Sequence, residues 1–187
     1  MDCNDAIFSR RSVRKFTSET VNDAIIQKIL LAGASAPSAH NEQPWHFIAL
    51  NNEDIKKRLA REMMVAYIAS GKADEQRARR SYDMMINTPA IIIGCLDTRL
   101  LKYQNELEYK MGVQSLAAAA ENMLIAANCL GLGAFWRAAP WVTTGIMRGL
   151  LGIPDYVEPQ WMIHLGYAAG EPREKALRSD INHWNHW

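Results

Sequence analysis

Two short runs near the N-terminus hold the residues of this chain best suited to chemistry. Arg10-Arg11-Ser12-Val13-Arg14 places three guanidiniums and a hydroxyl in five positions. Guanidinium forks match phosphate oxygens two at a time, so such a run is a poor core element and a good anion clamp. The second run, Ala36-Pro37-Ser38-Ala39-His40-Asn41-Glu42-Gln43-Pro44-Trp45, is a turn rich in hydroxyls and amides that opens into apolar sequence. Polar side chains on a loop beside a rigid strand suit hydrogen bonding to a planar polar ring. The plainer readings are cations offsetting a helix dipole in the first run and ordinary loop formers in the second.

The elements that must position these runs follow from periodicity and caps. A helix over residues 2–9, capped by Asp2 or Asn4, leads into the arginines. Asn22 caps a second helix, on which Ile25, Ile26, Ile29, Leu30 and Gly33 share one stripe and which Pro37 ends. Trp45–Leu50 reads as a buried strand, and a helix from about Glu53 to Tyr67 turns Ile55, Leu59, Met63 and Ala66 inward. Residues 68–88, with Arg77, Arg79, Arg80 and Met84-Met85, fit either a helix with a solvated charged face or a mobile flap. Pro89 precedes a second strand, Ala90–Leu96, whose unbroken apolar run predicts burial on both faces.

The longest helix, roughly Leu107 to Leu130, is apolar most of the way round and should be buried. Its small residues, Ala117–Ala120 among them, permit close approach of another helix, and its methionines read as packing. Gly131-Leu132-Gly133 stops that helix, and Ala134–Arg137 forms a short third strand. The glycine pair lacks the third glycine, preceding strand and following helix of a dinucleotide-binding fingerprint. Thr143 or Thr144 caps a helix closed by Gly152 and Pro154. Gln160–Tyr167 is the fourth strand, in which His164 alternates with apolar neighbours and reads as a hydrogen-bonded sheet residue.

The two opening runs, the Gly-Leu-Gly turn followed by Trp136, and the Leu165-Gly166-Tyr167 ending together resemble the nitroreductase-like family of FMN-dependent oxidoreductases, over residues 6 to about 180. The resemblance implies an α+β fold with a mixed central β-sheet flanked by helices, in an intertwined homodimer with two FMN sites at the interface. Arg10, Arg11, Ser12 and Arg14 would then grip the FMN phosphate and ribityl chain, joined by Lys175 and Arg178 returning from the tail. Pro37, Ser38, Asn41 and Gln43 would lie against the flavin, with Trp136 and Arg137 alongside. A cation such as Arg137 near the N1–C2 edge stabilises an anionic reduced ring; the alternative is a surface Trp-Arg stack. Ala168 and Gly170 depart from the family's usual Pro and acid and leave the tail's path open.

In that family NADH or NADPH gives hydride to flavin N5 and leaves, and a nitroaromatic, quinone or related acceptor then takes the same face. No side chain is required as a general base. Other flavin chemistry (reductive dehalogenation, flavin breakdown, dehydrogenation) and a non-catalytic flavin-binding sensor or store are the alternatives.

The bulk numbers fit one domain. At 187 residues the chain can bury a real core, and a net charge of +1 exerts no long-range pull on nucleic acid or an anionic membrane. No charged-then-apolar leader or membrane span is legible, which predicts a cytoplasmic protein. Cys3, Cys95 and Cys129 show no CxxC spacing, and Cys95 and Cys129 read as small buried hydrophobes in a reducing compartment. The closing Asn-His-Trp repeat at 182–187 brings two histidines without a Cys pair or Glu partner, so no metal site is expected.

Overall fold

The computed structural model describes residues 2–172, 175–179, 181 and 183–185. Strands β1 (Trp45–Leu50), β2 (Ala90–Asp97), β3 (Gly133–Ala138) and β4 (Val157–Gly166) form one sheet in the order β1-β2-β4-β3. Each neighbouring pair is antiparallel. The parallel character expected of a mixed sheet enters only as an isolated bridge between Ser12 and Ala134. Apolar runs take the centre of the sheet: every residue of β2 is buried, as its sequence predicts, while β1 and β3 form the edges.

Among the described residues six helices flank this sheet: α1 (Cys3–Ser9), α2 (Asp23–Ala34), α3 (Glu53–Ala69), α4 (Glu75–Ile86), α5 (Glu106–Cys129) and α6 (Trp141–Leu151). Asp2, Asn22, Asn52, Asp74 and Asn105 each accept a backbone N–H in the first turn of the helix that follows. On one face α2 and α5 bury Ile29, Leu116, Ala120 and Met123 against Trp161 and Ile163. On the other, α3, α4 and α6 bury Leu59, Met63, Met85 and Met147 against Ile91, Ile93 and Met162. Gly33 lets α2 and α5 meet closely, since a Cβ there would fall 2.2 Å from Met123 Cε. Met63, Met85, Met123, Met147 and Met162 are packing residues. Among the described residues no helix is long and apolar enough to cross a membrane.

Several expectations need correction or completion. Ile55, expected to face inward, is exposed on the first turn of α3, while Leu59 and Met63 are buried. The 68–88 stretch resolves into the end of α3, a turn at Gly71 (φ +65°) and α4, whose narrow apolar stripe of Ala78, Tyr82 and Met85 packs inward. Helix α6 begins at Trp141 after Pro140, so neither Thr143 nor Thr144 is its cap. Thr143 is buried within the first turn, where its hydroxyl donates to the Pro140 carbonyl (2.7 Å). Cys129 is exposed, because it sits about 200° around α5 from the buried Ala127. Cys95 is buried as expected, and desolvation pushes its thiol up to about 12.

Candidate functional site

The arginine run is laid along the outer edge of β3 by its own backbone. The Val13 N–H donates to the Ala134 carbonyl (3.0 Å), and farther on Thr17 N–H donates to Tyr167 and Ala169 N–H to Lys15 (both 2.9 Å). Gly133 makes this approach possible, because a Cβ there would come within 2.6 Å of Val13 Cγ1. Arg10 and Arg11 line a small cavity of about 50 Å³ together with Ser9, Asn128, Ala134 and Pro172. Arg10 Nε lies 3.4 Å from Glu121 Oε1. Arg11 Nη1 donates to the carbonyls of Phe8 (2.7 Å) and Arg10 (2.9 Å), so this residue also serves the end of α1. Ser12 and Arg14 are exposed, with the Arg14 guanidinium 5.5 Å from the centroid of the Phe135 ring.

The second run forms a strained turn. His40, Asn41 and Gln43 all take left-handed φ values, 51°, 58° and 49°. At His40 and Gln43 this costs roughly 1–2 kcal/mol each, whereas Asn41 tolerates it, and conformations of this kind cluster at functional loops. Local bonds hold it. Ser38 Oγ accepts from Gln43 N–H (3.0 Å), Asn41 Oδ1 accepts from Gln43 Nε2 (3.2 Å), and Ala39 N–H donates to Ser115 Oγ on α5 (3.1 Å). Pro37, Asn41 and Gln43 are exposed.

Both runs therefore rest on α5, at different stations. Six residues separate Ser115 from Glu121 and thirteen separate it from Asn128, or about 9 and 20 Å along the axis.

Strand alternation sends Trp136 and Arg137 to opposite faces of β3. Trp136 is exposed and meets Trp161 edge-on, with centroids 6.3 Å apart. Arg137 Nη2 donates to Ser81 Oγ (2.6 Å) and reaches Tyr67 Oη at 3.4 Å, while its Nη1 is buried without a hydrogen-bond partner. This is not the surface Trp-Arg stack of the plainer reading. Both side chains can address one planar ligand only if it lies across the strand's free edge. The backbone favours that placement. Since Ala134 turns its carbonyl outward to Val13, the two-residue repeat turns the main-chain groups of Trp136 and Ala138 outward as well.

On Arg137's side of the sheet lies His164, wholly buried, with its ring 4.4 Å from Phe135 and nearly parallel to it. The Thr88 hydroxyl donates to Met84 O (2.7 Å), so its oxygen can only accept from His164 Nδ1 at 2.9 Å. That fixes the proton on Nδ1 and leaves Nε2 buried without a partner. Desolvation, then the charges of Arg137 and Lys56, push this imidazole down to about 3, so His164 is neutral. Lys56 is itself buried, donating to Thr88 O (2.6 Å) and Pro89 O (2.8 Å).

Lys175 and Arg178 are exposed in the tail outside regular structure, and Pro172 carries the tail to the arginine-lined cavity. Arg173, Glu174, Asn182, His186 and Trp187 lie outside the described residues. Sequence reasoning missed Tyr67 and Ser81 as partners of Arg137, and the backbone of Ala138. Nothing local signals them, since Tyr67 and Ser81 are 70 and 56 residues from Arg137.

Residues 7–167 match the pattern that defines the Nitroreductase family. The chain belongs to the nitroreductase family. A protein of Archaeoglobus fulgidus provisionally named NADH dehydrogenase/NAD(P)H nitroreductase is 35% identical over 172 residues, covering 91% of this chain and 87% of that one. The crystal structure of a similarly named protein from Parabacteroides distasonis is 28% identical, covers 98% of both chains and superposes with a TM-score of 0.78. A nitroreductase of provisional name from Desulfovibrio desulfuricans, solved in complex with FMN, is 26% identical over 94% of this nitroreductase-family chain and 91% of its own, with a TM-score of 0.74.

Proposed function

We propose that this chain is an FMN-dependent NAD(P)H oxidoreductase that acts as a homodimer on nitroaromatics, quinones or related electron-poor acceptors. The observation that carries the reading is the arginine-lined cavity lying against the free edge of β3. The residues fit the cofactor: guanidiniums suit its phosphate, and outward main-chain groups beside Trp136 suit the rim of a polar tricyclic ring. Bound FMN supplies the hydride exchange between NAD(P)H and the acceptor in two alternating half-reactions.

The chain's own residues bind and orient. Arg10, Arg11, Ser12 and Arg14 would hold the phosphate and ribityl chain, with Lys175 and Arg178 closing over them from the tail. Ser38, Asn41 and Gln43, on a turn already rigidified by Ser115, would hydrogen-bond the ring without paying ordering entropy at each encounter, and Pro37 would pack beside it. Arg137, with one guanidinium nitrogen unpartnered and no carboxylate bonded to it among the described residues, would favour negative charge on the reduced ring. The separation of the two anchor points along α5 supports a site shared between subunits, in which the turn of one protomer meets the arginine run of its partner.

The deciding experiment is an absorbance spectrum of the purified protein followed by anaerobic addition of NADH or NADPH. The reading expects a two-band oxidised flavin spectrum that bleaches and returns when a quinone is added. A flavin that neither nicotinamide reduces would point to storage or sensing. Protein that takes up no FMN would overturn the reading.

A further inference from the structure

The turn assigned above to the flavin carries one titratable side chain without a role, His40. Its backbone is left-handed (φ 51°, ψ 15°), between Ser38 and Asn41, and its ring is 43% exposed. From there Nε2 reaches to 3.7 Å from Oε1 of Glu108 at the start of α5, a carboxylate whose side chain is only 5% exposed. The other oxygen of Glu108 is buried and has no hydrogen-bond partner among the described residues. A buried carboxylate is costly unless a positive group faces it, and His40 is the ion-pair partner described for it. On the same turn Glu42 Oε1 accepts from Lys102 N–H (2.6 Å) while its Oε2 is buried without a partner among the described residues, and the Lys102 ammonium sits 5.3 Å from the Tyr103 ring. The histidine thus spans a buried anion and the open face of the turn.

We propose that His40, held by Glu108, is the proton donor to the electron acceptor. This role rests on the flavin reading above. A quinone becomes a hydroquinone by gaining a hydride and a proton. The hydride derives from NAD(P)H through the flavin, and the proton comes from the imidazolium. With Nε2–H turned to Glu108, the Nδ1–H bond breaks as an O–H bond forms on the quinone oxygen that gains the electron pair. His40 is left neutral, Glu108 keeps its charge, and solvent reprotonates the exposed ring.

Asparagine tolerates the left-handed backbone, so His40→Asn removes the proton without disturbing the turn. In that variant the oxidation of reduced holoenzyme by benzoquinone should slow about 100-fold. Oxidation by ferricyanide, which takes electrons without a proton, should change by less than about 3-fold on the same grounds. Glu108→Gln should give a smaller loss in the same direction. A readout independent of turnover is the affinity of the oxidised holoenzyme for resorcinol, followed by perturbation of flavin absorbance, which should weaken about tenfold in His40→Asn for loss of a charge-assisted hydrogen bond. Equal losses with both oxidants, or an unchanged quinone rate, would overturn the role of His40 and leave the flavin reading standing. Wild-type protein that takes up no FMN would overturn both.

Discussion

His164 links a single residue to the acid stability of the whole sheet. Burial first, then Arg137 and Lys56, push its imidazole from 6.5 to about 3. Between those values the unfolded chain binds a proton that the folded chain refuses. Stability from this group is therefore intact above pH 6.5 and is lost as the pH falls through the window, by about 1.4 kcal/mol per unit. Phenylalanine keeps the stack on Phe135 and cannot protonate. Urea unfolding at pH 7.5 and pH 5 should show wild type losing about 2 kcal/mol more than His164→Phe over that interval; equal losses would mean that the ring is hydrated in the folded state. The sequence allowed His164 to be read as a satisfied sheet residue, because apolar neighbours alternate with it. It could not show that satisfaction reaches only one nitrogen, which depends on Thr88 having spent its hydroxyl proton on Met84. Arg137 repeats the lesson. Its residue type was legible, whereas its half-buried place between β3 and the α3–α4 pair depends on hydroxyls distant in the chain.

At the scale of elements, the decisive contact is the docking of the arginine run on β3. Gly133 reads from sequence as half of a helix stop, but only Gly131 takes the left-handed turn (φ +77°). Gly133 already belongs to β3, and its missing side chain is required by Val13, a long-range contact that no local pattern encodes. Gly133→Ala should therefore lift the run off the strand, costing about 1–3 kcal/mol of stability by overpacking. Its FMN affinity should fall at least tenfold, or about 1.4 kcal/mol, measured by flavin fluorescence titration. Because Val13 Cβ itself would lie 2.7 Å from the new methyl, the compensating change is Val13→Gly, and the double variant should recover much of the affinity. Loss of affinity in the double variant equal to that in Gly133→Ala would show that the run is not positioned through this contact. By contrast, the four strands and most helices were legible because continuous apolar runs and Asn or Asp caps are local signals. Helix α4 stayed one of two alternatives in the sequence because its buried stripe is narrow and set in a charged segment.

At the scale of the molecule, the exposed apolar side chains argue for a second copy. Phe8, Leu31 and Leu107 are exposed on α1, α2 and α5, and Leu177, Ile181 and Trp184 on the tail, more than scattered surface residues would need to explain. The proposed dimer makes a prediction sharper than a doubled mass, because it would also assign the two runs. Take one chain with Arg10→Ala and Arg11→Ala, and a second with Ser38→Ala and Asn41→Ala. Each alone should form dimers that bind FMN poorly. If the turn of one protomer meets the arginine run of its partner, a mixed dimer combines the two damaged halves in one site and the two intact halves in the other. Random reassociation makes half the dimers mixed, so co-refolding should restore about a quarter of the FMN sites of wild type. If turn and run come from the same protomer, each site in the mixed dimer carries one damaged half and binding stays absent. Counting bound flavin after co-refolding thus separates a shared site from a private one, and a monomer in sedimentation at working concentration would overturn the assembly on which both depend.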